Sequence, residues 1–252
     1  MVELTIDFGE NMASKEVYIA KKSASSLYTT ESFEFKWYPG FAVVQKQKSV
    51  KSLHDEVISK YPNGKILEIS TKSNIDVGVK LSAFNLMIRH KNTTQEFSVE
   101  SAFQSSKVFE NGGPYKDILF KSSKDAKKDE RLKSSGKLTK FKFFNTEWEL
   151  VPQTLFYDWL YINALSKHPN LVEEILKYDM FTDIEFNQLK SINCQAKSAA
   201  LYVSLYKNGM LEDALKSIDQ YKSIFFKKNN ESIIEHKDKE IIVEQISFLN
   251  YD

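Results

Sequence analysis

The chain has 252 residues, 42% of them hydrophobic and 13% aromatic, which is enough for a sizeable core and too apolar for a disordered polypeptide. Lys and Arg (35) nearly cancel Asp and Glu (34), so overall charge makes no case for a nucleic-acid or membrane partner. One cysteine, Cys194, excludes an internal disulfide, and His54, His90, His168 and His236 are scattered without metal-ligand spacing.

No apolar run reaches transmembrane length, and the start MVELTIDFGENMASKEV carries acids without the apolar stretch of a signal peptide. A cytoplasmic protein with no metal and no membrane contact is expected. Residues 1–32 read as an N-terminal extension: an early strand and the Ser/Lys-rich connection AKKSASSLYTTES. From Phe33, FEFKWYPGFAVVQKQKS clusters aromatic and β-branched residues about Pro39 and Gly40 and predicts a hairpin. SVKSLHDEVISKY predicts a helix with Val50, Leu53, Val57 and Ile58 on one stripe, closed by YPNG. KILEIS (65–70) and VKLSAFNLMIRH (79–90) predict strands, with the polar loop TKSNIDVG between them ending in Gly78.

Ser98 to Tyr115, SVESAFQSSKVFENGGPY, predicts a helix stopped by two glycines and a proline, followed by a helical turn in YKDILF. Residues 121–142 hold nine Lys/Arg against three Asp/Glu, which fits either a solvated loop or a phosphate-contacting surface. FKFFNTEWELV predicts a hairpin centred on Asn145 and Thr146, and Pro152 and Pro169 each predict a first helical residue. PQTLFYDWLYINALSKH and PNLVEEILKYD read as amphipathic helices, NCQAKSAALYVSLYKNG as a helix capped at Gly209, and MLEDALKSIDQYKS as one more. Residues 223–252 read as a tail packed on the domain. With strands early, helices late and no repeat, one α+β domain over 33–222 is the expected architecture.

Within the Ser98 segment, the serine hydroxyl is placed to cap the first turn, and Val99, Ala102, Phe103 and Ser106 share the core-facing stripe. Glu100, Gln104 and Lys107 repeat that spacing about 100° round the helix and so border the buried face. An acid in the first turn and a lysine in the last also suit the helix dipole, so spacing alone fits a solvated face as well as a cleft wall. At about 10 Å along the axis the acid and the amine are too far apart to pair, but a ligand between them could touch both.

VESAFQSSKVFE resembles the E-x-x-F-Q-x-x-K helix of the NADAR family, which includes the YbiA-like proteins, and GVKLSAF (78–84) is similar to the family's preceding G-x-x-x-S-x-F segment. Trp148 in NTEWELV, the loop FTDIEFN with Asp183, and NCQAKSAAL from Asn193 resemble later family elements. The chain departs from the wider family in carrying Ile184-Glu185-Phe186 after that Asp and Gln195-Ala196 after the closing Asn, and Asp179 is the alternative match for the loop Asp. The closest resemblance is to NADAR antitoxins partnered with DarT-type toxins, over most of residues 33–222.

The resemblance implies an N-glycosidase that removes ADP-ribose from guanine bases of DNA, with ADP-ribose as product, no cofactor, and the toxin as functional partner. The wider family also implies a YbiA-like activity on a ribosylaminopyrimidine metabolite, and a non-catalytic NAD- or ADP-ribose-binding or toxin-sequestering module is a third class. Breaking a ribosyl C–N bond builds positive charge on the anomeric carbon and requires a proton on the leaving nitrogen; Glu100 suits either need, and Asp183 joins it as the family's loop acid. Lys107 is the candidate for amine attack through a Schiff base, provided its proton affinity is lowered. Lys72 and Ser73, with Gly78 and Ser82, are candidate diphosphate donors, Phe84 or Trp148 candidate stacking platforms, and Asn85, Gln104 and Asn193 complete the implied substrate-binding set. Lys127, Lys128 and Arg131 are the candidate DNA-backbone contacts.

Overall fold

The computed structural model describes residues 11–22, 26–89, 94–152, 154–187 and 194–227. The chain folds as an α+β protein around a four-stranded sheet with helices on both faces. Strand β1 (Met12–Ala20) pairs antiparallel with β2 (Tyr28–Lys36) from Met12↔Lys36 to Ala20↔Tyr28. Its other edge pairs with β9 (Met180–Thr182), which in turn runs parallel to β3 (Ile66–Glu68), giving the order β2-β1-β9-β3. The segment expected as an N-terminal extension therefore contributes an interior strand.

Alternation along these strands feeds two cores. Val17, Phe33, Phe35 and Met180 face helix α1 (Val43–Lys60), where Val50, Leu53 and Val57 are fully buried. Tyr18, Ala20, Leu67 and Phe181 face the larger core on the opposite side. The hairpin expected about Pro39 does not form: the chain leaves β2 and enters α1 at Val43, and the apolar residues that suggested a strand, Phe41, Val43 and Val44, are exposed.

The larger core is built on α6 (Leu155–Leu165) and α8 (Gln195–Lys207), which are buried nearly all round instead of along one stripe. Pro152 precedes α6 by three residues and is not its first residue, whereas Pro169 does open α7 (Pro169–Ile175). Gly209, at φ +67°, follows the C-terminal end of α8, a left-handed conformation that costs glycine little. Helix α9 (Leu211–Lys216) and a further helix over 218–227 complete this layer. The tail expected over 223–252 lies outside the described residues beyond 227.

Between β3 and α6 the chain builds the functional face. The expected strand over 79–90 is mostly turns: α2 (Asp76–Lys80) occupies its start, and only β4 (Met87–Arg89) is extended, paired with β5 (Glu96–Ser98). Helix α3 (Val99–Ser105) follows directly, and all seven of its residues are buried. It stops earlier than the Gly112-Gly113-Pro114 signal predicts: the Ser105 and Ser106 hydroxyls donate back to the Ala102 carbonyl in its last turn, and Lys107 is taken into a strand pair. Lys107 then begins β6 (Lys107–Phe109), pairing with β7 (Leu138–Phe143), which pairs with β8 (Thr146–Trp148). The β7–β8 turn is Phe144-Asn145, one residue earlier than the sequence suggests, with Phe144 at φ 50°. The lysine-rich segment is folded, with α4 (Ser123–Lys128) and α5 (Arg131–Ser134) preceding β7.

Candidate active site

Ser98 caps α3 through its hydroxyl, which accepts from the Ser101 amide at 3.0 Å. The hydroxyl of Ser123, at the start of α4, donates to the Phe84 carbonyl and lies 2.7 Å from Ser98 Oγ, so α4 is tied to the entry of α3. Val99, Ala102, Phe103 and Ser106 enter the core, and Glu100 and Gln104 turn toward a cleft of about 1290 Å³. That volume exceeds the roughly 300–1,000 Å³ of ordinary small-molecule sites and leaves room for a ligand of dinucleotide size. Lys107 lines the same cleft from the first position of β6, so the amine sits on a strand and not in the last turn of the helix.

Glu100 Oε1 accepts from Gln104 Nε2 at 2.9 Å and lies 3.8 Å from Lys127 Nζ. Lys107 Nζ stands 4.9 Å from the centre of the Phe103 ring, and burial lowers its proton affinity. Glu100 opposes that shift, Lys127 adds to it, and the net direction is downward. Tyr157, buried and edge-on to Phe103 at 5.1 Å, also lines the cleft, with its hydroxyl proton held tightly by burial.

A second group of charges reaches the cleft from the sheet. Asp183 follows β9 and lines the cleft, and its Oδ1 accepts from the Glu185 and Phe186 amides at 3.1 Å each. Glu68, at the end of β3, is 1% exposed. Its Oε1 accepts from the Ile184 amide at 2.8 Å and its Oε2 from the Thr182 hydroxyl at 2.6 Å. Thr182 Oγ1 also lies 2.9 Å from His54 Nε2, and burial holds His54 neutral, with a pKa of about 4. Since the threonine proton is given to Glu68, the imidazole donates from Nε2 to Thr182. Lys15 of β1 reaches over from the neighbouring strand and donates to the Phe186 carbonyl. Burial first, and then the Glu68 charge, push the Asp183 carboxyl up to about 8, against the opposing pull of Lys15. Gln195 fixes the far side: its Oε1 accepts from the Ala83 amide at 2.7 Å and its amide faces Asp183.

Of the residues singled out from sequence, Glu100, Gln104, Lys107, Asp183, Lys72, Ser82, Phe84 and Lys127 line this one cleft. Others do not. Trp148 is 2% exposed and packs between Phe156 (5.4 Å) and Trp159 (5.0 Å), so it is core and not a platform. Gly78 sits inside α2, where a Cβ would come within 2.1 Å of the Glu68 carbonyl; the glycine permits α2 to pack on β3 and offers nothing to a ligand. Ser73 holds the loop before α2 by accepting from the Ile75 amide, and Asn85 donates to the Val79 carbonyl. Arg131 is spent on structure, paired with Asp117 and Asp129 and lying 4.4 Å over the Tyr115 ring. Lys128 is exposed and away from the cleft, and Asn193 lies outside the described residues. Asp179, the alternative loop acid, instead accepts from the Lys65 amide at 2.8 Å.

Residues that the sequence did not bring forward include Glu68, Lys15, Tyr157, Gln195, Lys124 and Lys133, the last two placing two further amines on the cleft. Glu68 carried a signal: an acid inside the otherwise apolar run ILEI of a short buried strand. Among the described residues no group of three or more His, Cys, Asp or Glu could hold a metal ion, and no helix is long and apolar enough to cross a membrane.

An α+β domain with acids and amines converging on a dinucleotide-sized cleft defines the class. The sequence model of the DarT1-associated NADAR antitoxins matches residues 13–234, and the chain belongs to that family. No curated protein sequence matches it.

Proposed function

We propose that the protein is the hydrolase that undoes the toxin's work, cleaving the N-glycosidic bond between ADP-ribose and a guanine base of DNA. What carries the reading is the convergence of Glu100, Lys107 and Asp183 on one cleft whose rim supplies Lys72, Lys124, Lys127 and Lys133. The rim amines suit the diphosphate and the phosphodiester backbone. The acids and the buried amine suit the sugar. Lys107, its ammonium disfavoured by burial, attacks the anomeric carbon; the C–N bond breaks with its electron pair going to the base, and a cleft acid supplies the proton that the base takes. The sugar ring opens to a Schiff base, and water adds to it, releasing ADP-ribose and returning the amine. Glu100, lining the same cleft, stabilises the positive charge that develops on that carbon.

The test is incubation of the purified protein with ADP-ribosylated oligonucleotide. Release of ADP-ribose by the wild type, none by Glu100→Ala, and borohydride trapping of a covalent adduct that Lys107→Arg abolishes are the expected results. Binding without release would make the protein a sensor or toxin-sequestering module. Release confined to a ribosylaminopyrimidine nucleotide would move the substrate to the YbiA-like class.

A further inference from the structure

The end of the sheet that carries the Asp183 loop carries a second feature. Strand β9 runs antiparallel to β1, with Phe181 opposite Tyr18, so the chain leaving β9 travels toward the start of β1. Strand β2 ends there too, with Lys36 opposite Met12. The connector from β2 to α1 therefore begins at the same end as the 183–187 loop. Lys46 of α1 joins the two: its Nζ is 3.5 Å from Glu185 Oε1, and Glu185 lines the cleft. The connector is apolar and faces water. Phe41 is fully exposed, Val43 and Val44 are exposed next to it in the chain, and so is Met12 at the start of β1. Backbone hydrogen bonds pin the segment on both sides of Phe41. The Trp37 amide donates to the Asn11 carbonyl at 2.7 Å, the Tyr38 amide to Ser49 Oγ at 2.9 Å, and the Gln45 amide to the Ala42 carbonyl at 3.0 Å. Apolar side chains held out together on an ordered segment mark a contact surface.

Charge and ring placement identify what it contacts. Residues 36–53 hold four lysines and no Asp or Glu. Lys51 is paired with Asp55 at 2.6 Å, and Lys46 neutralises Glu185 at the junction with the cleft. Lys46 Nζ stands 4.4 Å from the centre of the Trp37 ring and Lys48 Nζ 5.9 Å from that of Tyr38, so amines and half-buried rings alternate here. Rings that offer a face to a base, with ammonium groups between them for phosphates, suit an unpaired nucleic-acid strand of any sequence.

We propose that the entry to α1 holds the single-stranded DNA flanking the modified base, with Phe41, Trp37 and Tyr38 as stacking faces and Lys46 and Lys48 as phosphate contacts. The proposal rests on the hydrolase reading, since a guanine seated in the cleft belongs to a polymer whose strand has to leave past the cleft walls. The rim lysines of α4 and α5 serve one flank of that strand, and the entry to α1 serves the other.

Binding of a fluorescent, unmodified single-stranded oligonucleotide to the full chain reads this surface without turnover. Phe41→Ala should weaken that binding about tenfold by anisotropy, and Lys48→Gln should weaken it less while flattening its salt dependence. Both side chains are exposed, so neither change threatens the fold. The strand should quench tryptophan emission in the wild type and not in Trp37→Phe. A duplex of the same sequence should bind less tightly and ignore Phe41→Ala, because paired bases do not present their faces. A wild type that fails to bind the strand, an undiminished Phe41→Ala, or an equal loss on duplex and single strand overturns the proposal. So does loss of toxin binding in Phe41→Ala with strand binding intact, which would make the surface a protein interface. Strand binding that responds as stated in a protein that releases no ADP-ribose would sink the hydrolase reading and leave this surface standing.

Discussion

The α3–β6 wall of the cleft sets one carboxyl, Glu100, beside two amines, Lys107 and Lys127, whereas the wall built on β1, β3 and β9 gathers Glu68 and Asp183 around Lys15. The first wall has cations to spare and the second has acid to spare. In the first, burial pushes Lys107 toward its neutral form, with Glu100 opposing and Lys127 adding to the shift. In the second, burial first and then the neighbouring acid Glu68 push the Asp183 carboxyl toward its protonated form. Each wall thus biases an ionisable group away from its usual charge state, which is how a site comes to offer both a nucleophile and a proton. Burial does this only where no opposite charge outweighs it. Lys197 of α8 is also deeply buried, yet although burial pulls its proton affinity down, Asp158 at 3.4 Å and the neighbouring Tyr28 more than restore it. That lysine is a structural ion pair.

The comparison can be broken most severely at Glu100. Glu100→Gln keeps the Gln104 contact within reach of an amide and removes the charge, and turnover should fall by about 10²–10⁴-fold, read as ADP-ribose released per minute. An unchanged rate would mean that the first wall only binds. Trp148→Ala should cost about 3–5 kcal/mol in urea unfolding, as loss of a buried core indole does, while Trp148→Phe retains turnover; a stable but substrate-blind Ala variant would restore the indole as a platform.

Smaller effects sharpen the second wall and the rim. Asp183 has a folded pKa raised above the 3.8 of an ordinary carboxyl, so its protonated form contributes stability that is lost as pH climbs through about 8. The thermal midpoint of the wild type should therefore drop between about pH 6 and pH 9 by more than that of Asp183→Asn, where nothing is left to ionise. At the rim, Lys124→Gln with Lys133→Gln should raise KM for a modified oligonucleotide about tenfold and flatten its salt dependence, with no effect on a modified mononucleoside. Lys128→Ala, one helical position from the cleft lysine Lys127, should alter neither.

Local signals made α3 readable: a serine that caps, an apolar stripe at helical spacing, and an acid and an amide beside it. Where α3 stops was hidden, because the β7 strand that captures Lys107 lies more than thirty residues downstream and no local feature announces it. The start of α1 misled for a related reason. Val43 and Val44 look like strand residues, but their side chains are exposed and the burial that fixes the helix begins at Ser49 and Val50. Glu68, Asp183 and Lys15 come from three strands far apart in the chain, so only the sheet order brings them together. Arg131 and Lys128 looked like equals of Lys127 in a run of positive charge; Asp117 and Asp129, which immobilise Arg131, decided otherwise.

Strand β9 has only three residues, yet it bridges β1 to β3 and hands the chain on to Asp183. A nascent polypeptide that has emerged from the ribosome only as far as α7 already holds Glu100 and Lys107 but has two unfilled strand edges, the kind of surface that recruits other chains. Competence of the site is therefore withheld until most of the polypeptide has been synthesised, and premature termination upstream of β9 yields a sticky fragment with half a cleft.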